Sequence, residues 1–318
     1  MERRFTASTS LALALFAAVF AVQVYRAATR PIHSGEAYVY DRFVRPTTRQ
    51  VFASELPNRD VLYSLLEKRS VGLFHVSPFA VRLPSLLFAL LYLQSIWRLG
   101  RRLLGTGWFF LPAVALAGLL PLAWGCFNAA DGVGTALAMQ VCAVQLALSV
   151  KPWNLNLSGW CLGLSVAARL EFAVPAVVLA LGILGIHRRW AAWTDRVLIP
   201  ALVAAFALLV LPWSHAHAVS ERLPDLTLPE TALRMLRASA DNGRVQIGAS
   251  AGIEPIVNFY RAQHRIATWE RAGRNLVSGN FDYYLLTRSD VGVIEQRHLI
   301  VLYRDAGLVL ARRSYDRL

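Results

Sequence analysis

The sequence predicts an all-α polytopic membrane bundle of about seven transmembrane helices with a small α/β extracytoplasmic C-terminal domain. Three observations lead there. The chain has 318 residues, of which 56% are hydrophobic, more than a soluble domain of this size carries. Its apolar runs approach the roughly 20 residues needed for a hydrocarbon core of about 30 Å. From about His215 the composition turns charged and mixed. The expected division is therefore 1–214, a membrane module that includes the external loop 29–78, and 215–318, the α/β domain.

The expected crossings follow in order. Phe5–Tyr25, preceded by Arg3 and Arg4, reads as an uncleaved signal anchor. Phe79–Trp97 ends on Arg98, Arg101 and Arg102. Gly107–Phe127 and Gly132–Val150 are the third and fourth. Trp153–Ile186 is too long for one ordinary span and is interrupted by Arg169, Glu171 and Pro175. Two passes turning near Arg169–Phe172 keep His187, Arg188, Arg189 and Arg196 on the cytoplasmic side, as the positive-inside rule prefers. Arg196–Trp213 is then the seventh. This gives a multi-pass protein of the cytoplasmic (inner) membrane, with its N-terminus cytoplasmic and its C-terminal domain outside. In the tail, Arg244–Ser250 and Phe281–Thr287 read as strands and Ile253–Arg265 as a helix. Leu299–Tyr303 and Leu308–Arg312 read as a terminal hairpin.

The net charge of +13 is almost all arginine. In a soluble protein it would suggest nucleic acid; beside apolar helices it indicates membrane lipids, with no nucleic-acid partner. Cys126, Cys142 and Cys161 lie in apolar segments with no metal spacing, and no motif calls for a metal or a cofactor.

Chemistry concentrates in the loop after the first helix, His33-Ser34-Gly35-Glu36-Ala37-Tyr38-Val39-Tyr40-Asp41-Arg42-Phe43. A carboxylate at the membrane boundary can take a proton from an acceptor hydroxyl while a lipid-borne sugar approaches from the bilayer. Glu36 is the first candidate base and Asp41 the second. The alternative for both is a solvated acid or an ion pair with Arg42 or Arg45. Guanidinium groups suit a phosphate leaving group, which makes Arg82, Arg42 and Arg45 candidates for the donor phosphate; headgroup anchoring is their alternative. Tyr40, Asn58, Tyr63 and Asp131 are candidates for lining an acceptor cleft, or for capping and packing.

The loop, the Arg82-Leu83-Pro84-Ser85 entry to the second helix and the order of segments resemble the GT-C class of polytopic glycosyltransferases. The nearer likeness is to the family-39-like branch that includes protein O-mannosyltransferases and the lipid A aminoarabinose transferase. The resemblance covers roughly Pro31–Trp213. It implies juxtamembrane helices at 34–52 and 59–74. It also implies a polyprenyl-phosphate-linked sugar donor, a lipid, glycan or protein acceptor, and inversion at the anomeric carbon. The chain departs from the family pattern at three markers. Asp-Glu reads Gly35-Glu36, a His-containing stretch reads Asn58-Arg59-Asp60, and an Arg-Gly-Tyr-like stretch reads Asp131-Gly132-Val133. These departures motivate a rival expectation, a non-catalytic GT-C-like subunit or binding protein in envelope glycan assembly.

Overall fold

The computed structural model describes residues 7–47, 60–105, 107, 109–149, 152–187, 226–240, 244–305 and 307–314. The chain divides into two compact units. One contains Met1–Thr29, Thr48–Leu73 and Phe79–Ala218; the other contains Arg30–Thr47, Phe74–Pro78 and Val219–Leu318. Arg30–Thr47, read from the sequence as part of the membrane module, thus belongs to the second unit.

The first unit is helical. Its elements are α1 (Ala7–Thr29), α3 (Val61–Phe74), α4 (Pro78–Leu104), α5 (Phe110–Leu119), α6 (Pro121–Asn128), α7 (Gly132–Ala147), α8 (Pro152–Ala168) and α9 (Ala173–His187). Phe16 of α1, Tyr92 and Leu93 of α4, Phe110 and Val114 of α5 and Phe127 of α6 share one buried cluster. Ala143, Ala147, Leu162, Ala176 and Ile183 form a second between α7, α8 and α9. Small residues let α7 and α8 approach closely. A Cβ on Gly132 would stand 2.0 Å from the Ala168 carbonyl oxygen, so only glycine fits there.

The expectation of a seven-span bundle is overturned. Among the described residues, two helices are long and apolar enough to cross a membrane, Ser8–Thr29 and Pro78–Leu104. The reason is where helices stop. The expected third crossing is cut at Leu120, which is extended (ψ 124°) ahead of Pro121, leaving helices of 10 and 8 residues. At 1.5 Å per residue, α7 with 16 residues and α8 with 17 reach only about 24–26 Å. Trp153–Ile186 breaks at a 3-10 turn over Leu170–Phe172. The expected crossing Arg196–Trp213 lies outside the described residues.

The second unit mixes helix and sheet. It holds α2 (Ser34–Val39), which continues as a π-helical turn over Tyr40–Val44, then α10 (Glu230–Ala240), β1 (Ile247–Ala249) and α11 (Glu254–Gln263). β2 (Tyr283–Thr287), α12 (Gly292–Arg297), β3 (Ile300–Arg304) and β4 (Leu308–Arg312) complete it. The four strands form one sheet in the order β1-β2-β4-β3. β1 and β2 are parallel, with α11 on their crossover; β4 is antiparallel to both its neighbours. Tyr284, Leu286, Val309 and Ala311 carry the core on one face of the sheet. The α2 segment is tied to the chain far downstream: Ser34 N donates to the Leu226 carbonyl at 3.0 Å, and His33 bridges Thr227.

Candidate functional site

The candidate residues fall into both units, and each group has its own geometry. In the second unit, Glu36 is 6% exposed and its Oε2 accepts the His33 backbone N–H at 3.1 Å. That N–H is one of those left over at a helix N-terminus, and a carboxylate there is favoured by the helix dipole. Gly35 beside it has open space on its Cβ side, so nothing in the packing requires glycine.

Asp41 is buried and clamped. Its Oδ1 takes Arg45 Nη1 at 3.0 Å and its Oδ2 takes Arg271 Nη2 at 2.7 Å. Arg271 is presented by a segment fastened to α11. Ala272 N donates to Asn258 Oδ1 at 3.0 Å, Arg261 Nε donates to the Trp269 carbonyl at 2.5 Å, and Arg274 pairs with the buried Glu254. Tyr40 packs edge-on against Phe259 of α11, with ring centroids 5.2 Å apart. Arg42 lies over the Tyr38 ring at 6.0 Å. The loop read as a juxtamembrane helix over 34–52 is therefore helical to Val44, and it packs on α11.

In the first unit, Pro84 sets the local chemistry. Proline has no N–H, so Pro84 gives no helical hydrogen bond to the Ala80 carbonyl one turn back. The Ser70 hydroxyl of α3 donates to that carbonyl instead. Tyr63 Oη donates to the next carbonyl, Val81, at 2.9 Å. Ser85 Oγ lies 3.1 Å from Tyr63 Oη and 2.8 Å from the Ala129 carbonyl. Arg82 is fully buried, and its Nη1 donates to the Ala27 carbonyl at 3.2 Å, placing a cation at the C-terminal end of α1. Asp131 caps α7, its Oδ1 accepting the Val133 N–H at 3.1 Å.

At that same end, Arg169 gathers carboxylates. Asp60 is 3.6 Å away and Glu171 3.3 Å. Burial works against the Arg169 charge, but Asp60, Glu171 and Asp131 outweigh it and hold its pKa above the ordinary guanidinium range. A Cβ on Gly132 would sit 2.7 Å from Asp60 Oδ1, so the glycine admits this carboxylate as well as the Ala168 backbone. Sequence reasoning singled out Asp131 and Tyr63 here but treated Asp60 only as a departure from a motif. A local signal existed: Asp60 stands at the start of α3, where Ser64 N bonds its carbonyl at 2.8 Å. Asn58 lies outside the described residues. Among the described residues, no group of three or more His, Cys, Asp or Glu is arranged to hold a metal ion.

No family model matches this chain, and neither the curated proteins nor the solved structures compared with it give a match.

Proposed function

We propose that this chain transfers a sugar from a polyprenyl-phosphate-linked donor to a lipid, glycan or protein acceptor at the outer face of the cytoplasmic membrane. The observation that carries this reading is Glu36. It is a carboxylate withdrawn from water, a few residues past a helix long and apolar enough to cross a membrane. One of its oxygens is oriented by the α2 cap. In this reading Glu36 takes the proton from the acceptor hydroxyl as the hydroxyl attacks the anomeric carbon. Asp41, held between two guanidinium groups, positions Arg45 and Arg271. Arg42, half-buried over Tyr38, meets the donor phosphate. In the other unit, the buried Arg82 holds the end of α1.

Orientation follows from the same unit. Residues 30–47 and the C-terminal sheet region pack together through Asp41–Arg271 and Ser34–Leu226, which supports their sharing one side of the membrane. The arginines at the start of α1 and the end of α4 favour the cytoplasm, which puts the C-terminal unit outside.

A second reading has a specific observation behind it. Glu36 Oε2 is engaged in a helix cap, and glycine stands where the resembled family has Asp. Both fit a non-catalytic subunit of envelope glycan assembly. The test compares lipid-linked sugars and envelope glycans by mass spectrometry. The samples are a strain lacking the gene, the strain rescued with wild type, and the strain rescued with Glu36→Gln. If the deletion and Glu36→Gln both accumulate one lipid-linked sugar and lose one glycan decoration, the transferase reading holds and its substrate is named. Full rescue by Glu36→Gln selects the non-catalytic subunit.

A further inference from the structure

The seam between α7 and α8 holds two thiols at one level. The helices run antiparallel, and two contacts fix their register. Ser158 Oγ donates to the Ala143 carbonyl at 2.9 Å, and the Gly132 backbone meets the Ala168 carbonyl so closely that a Cβ there would stand 2.0 Å from its oxygen. From the first pairing, Cys142 is one residue back along α7 and Cys161 three residues on along α8, which brings both to the same turn. Ala143 and Leu162, their chain neighbours, are packed in one cluster, and Cys161 rests against it. The two thiols bear on each other: Cys161 holds the Cys142 pKa down, and Cys142 holds the Cys161 pKa up. A disulfide requires Cα atoms within about 7 Å, and the α7 and α8 backbones meet closely at Gly132 and Ala168.

We propose that Cys142 and Cys161 are a peroxide-responsive pair that forms a reversible disulfide, clasping α7 to α8. The oxidant is hydrogen peroxide, a small neutral molecule able to enter an apolar seam. Cys142, whose pKa Cys161 holds below the ordinary thiol value, is the better nucleophile and reacts first. Its sulfur attacks one peroxide oxygen and the O–O bond breaks. The departing hydroxide takes the thiol proton and leaves as water, and Cys142 becomes a sulfenic acid. The Cys161 sulfur then attacks the Cys142 sulfur. The S–O bond breaks, and the leaving hydroxide takes the Cys161 proton to give a second water. Both thiols are oxidised by one electron each, and the peroxide is reduced by two electrons. A thiol reductant reverses the bond by exchange. Cys126, on α6 and buried, is the internal control.

The experiment uses the full chain in detergent, treated with hydrogen peroxide or with dithiothreitol, then denatured, alkylated and digested for mass spectrometry. The expected result after peroxide is one intramolecular cross-linked peptide pair joining Cys142 to Cys161, lighter by two hydrogens, with Cys126 alone alkylated. Dithiothreitol returns all three thiols to the alkylated pool. If all three stay alkylatable after peroxide, or if the cross-link joins separate copies or uses Cys126, the proposal is overturned. A thermal melt checks the clasp. The oxidised wild type melts above the reduced protein, and the difference vanishes in Cys142→Ser; equal melting of the two wild-type forms overturns it.

Discussion

Asp41 and Arg271 are 230 residues apart in the chain, and Arg271 Nη2 stands 2.7 Å from Asp41 Oδ2. The carboxylate is buried, whereas both arginines that hold it are about half exposed. Removing an arginine therefore leaves a charge short of partners inside the protein, while removing the acid leaves two cations that water can reach. Arg271→Ala is expected to destabilise the second unit by about 1.5–3 kcal/mol, the range for hydrogen bonds to charged groups. Arg45→Ala should cost less, because Arg45 is a neighbour on the same short segment. Urea titration of the full chain gives the stability change, and hydrogen exchange around Trp269–Arg274 should rise in Arg271→Ala. Unchanged exchange there would mean that the clamp is not what holds the segment.

Gly35 offers a direct probe of the proposed site. Nothing lies within 4 Å of where its Cβ would be, so Gly35→Asp is expected to fold with stability unchanged to within about 0.5 kcal/mol. It restores the acidic pair of the resembled family beside Glu36. Transfer to the acceptor, measured with the donor identified by the mass-spectrometric experiment, should increase. A well-folded Gly35→Asp with no gain would remove this position from the chemistry.

The Ser70 hydroxyl substitutes for the N–H that Pro84 lacks. Ser70→Ala should cost about 0.5–1.5 kcal/mol, the net worth of one intramolecular hydrogen bond. In a Pro84→Ala background the helix supplies its own donor to Ala80, and the same Ser70→Ala change should cost clearly less. A double-mutant cycle by thermal or urea unfolding measures the coupling. Additive effects would show that the two residues act independently.

His264 stacks on Tyr260 with rings 3° from parallel and centroids 6.1 Å apart. Burial, and after it the Arg237 charge, lower its pKa from the ordinary 6.5. The native state thus prefers neutral His264. Its contribution to stability is complete above about pH 6.5 and is lost as pH falls below that value towards the folded pKa. The imidazole is largely exposed, so the effect is small. An NMR titration should find the midpoint below 6.5, and Arg237→Gln should move it upward. A midpoint that Arg237→Gln leaves unchanged would exclude the charge as a cause.

Local pattern carried much of the second unit. The β-branched and aromatic runs around Gln246, Tyr284, Val301 and Val309 marked the strands, the last two as a hairpin. The number of crossings was not legible. Mean apolarity does not say that Leu120 turns extended before Pro121, nor that α7 and α8 stop short of a bilayer. Glu36 and Asp41 were legible as carboxylates in an aromatic loop. Asp41's partner Arg271 was not, because pairing across the whole chain leaves no local periodicity. Arg169 and Glu171 are two residues apart, so their pairing is local in the sequence. Asp60 joins it only through the close approach that Gly132 permits.

The clamp between Asp41 and Arg271 also sets an order of events during synthesis. A ribosome adding about 5–20 residues per second needs roughly 10–50 s to travel from one residue to the other. Throughout that interval the segment around Tyr40 and Phe43 has emerged without the α11 surface it packs on. The chain between them emerges while this aromatic stretch waits for its packing surface, so the growing chain is most vulnerable to aggregation and proteolysis before its last hundred residues arrive.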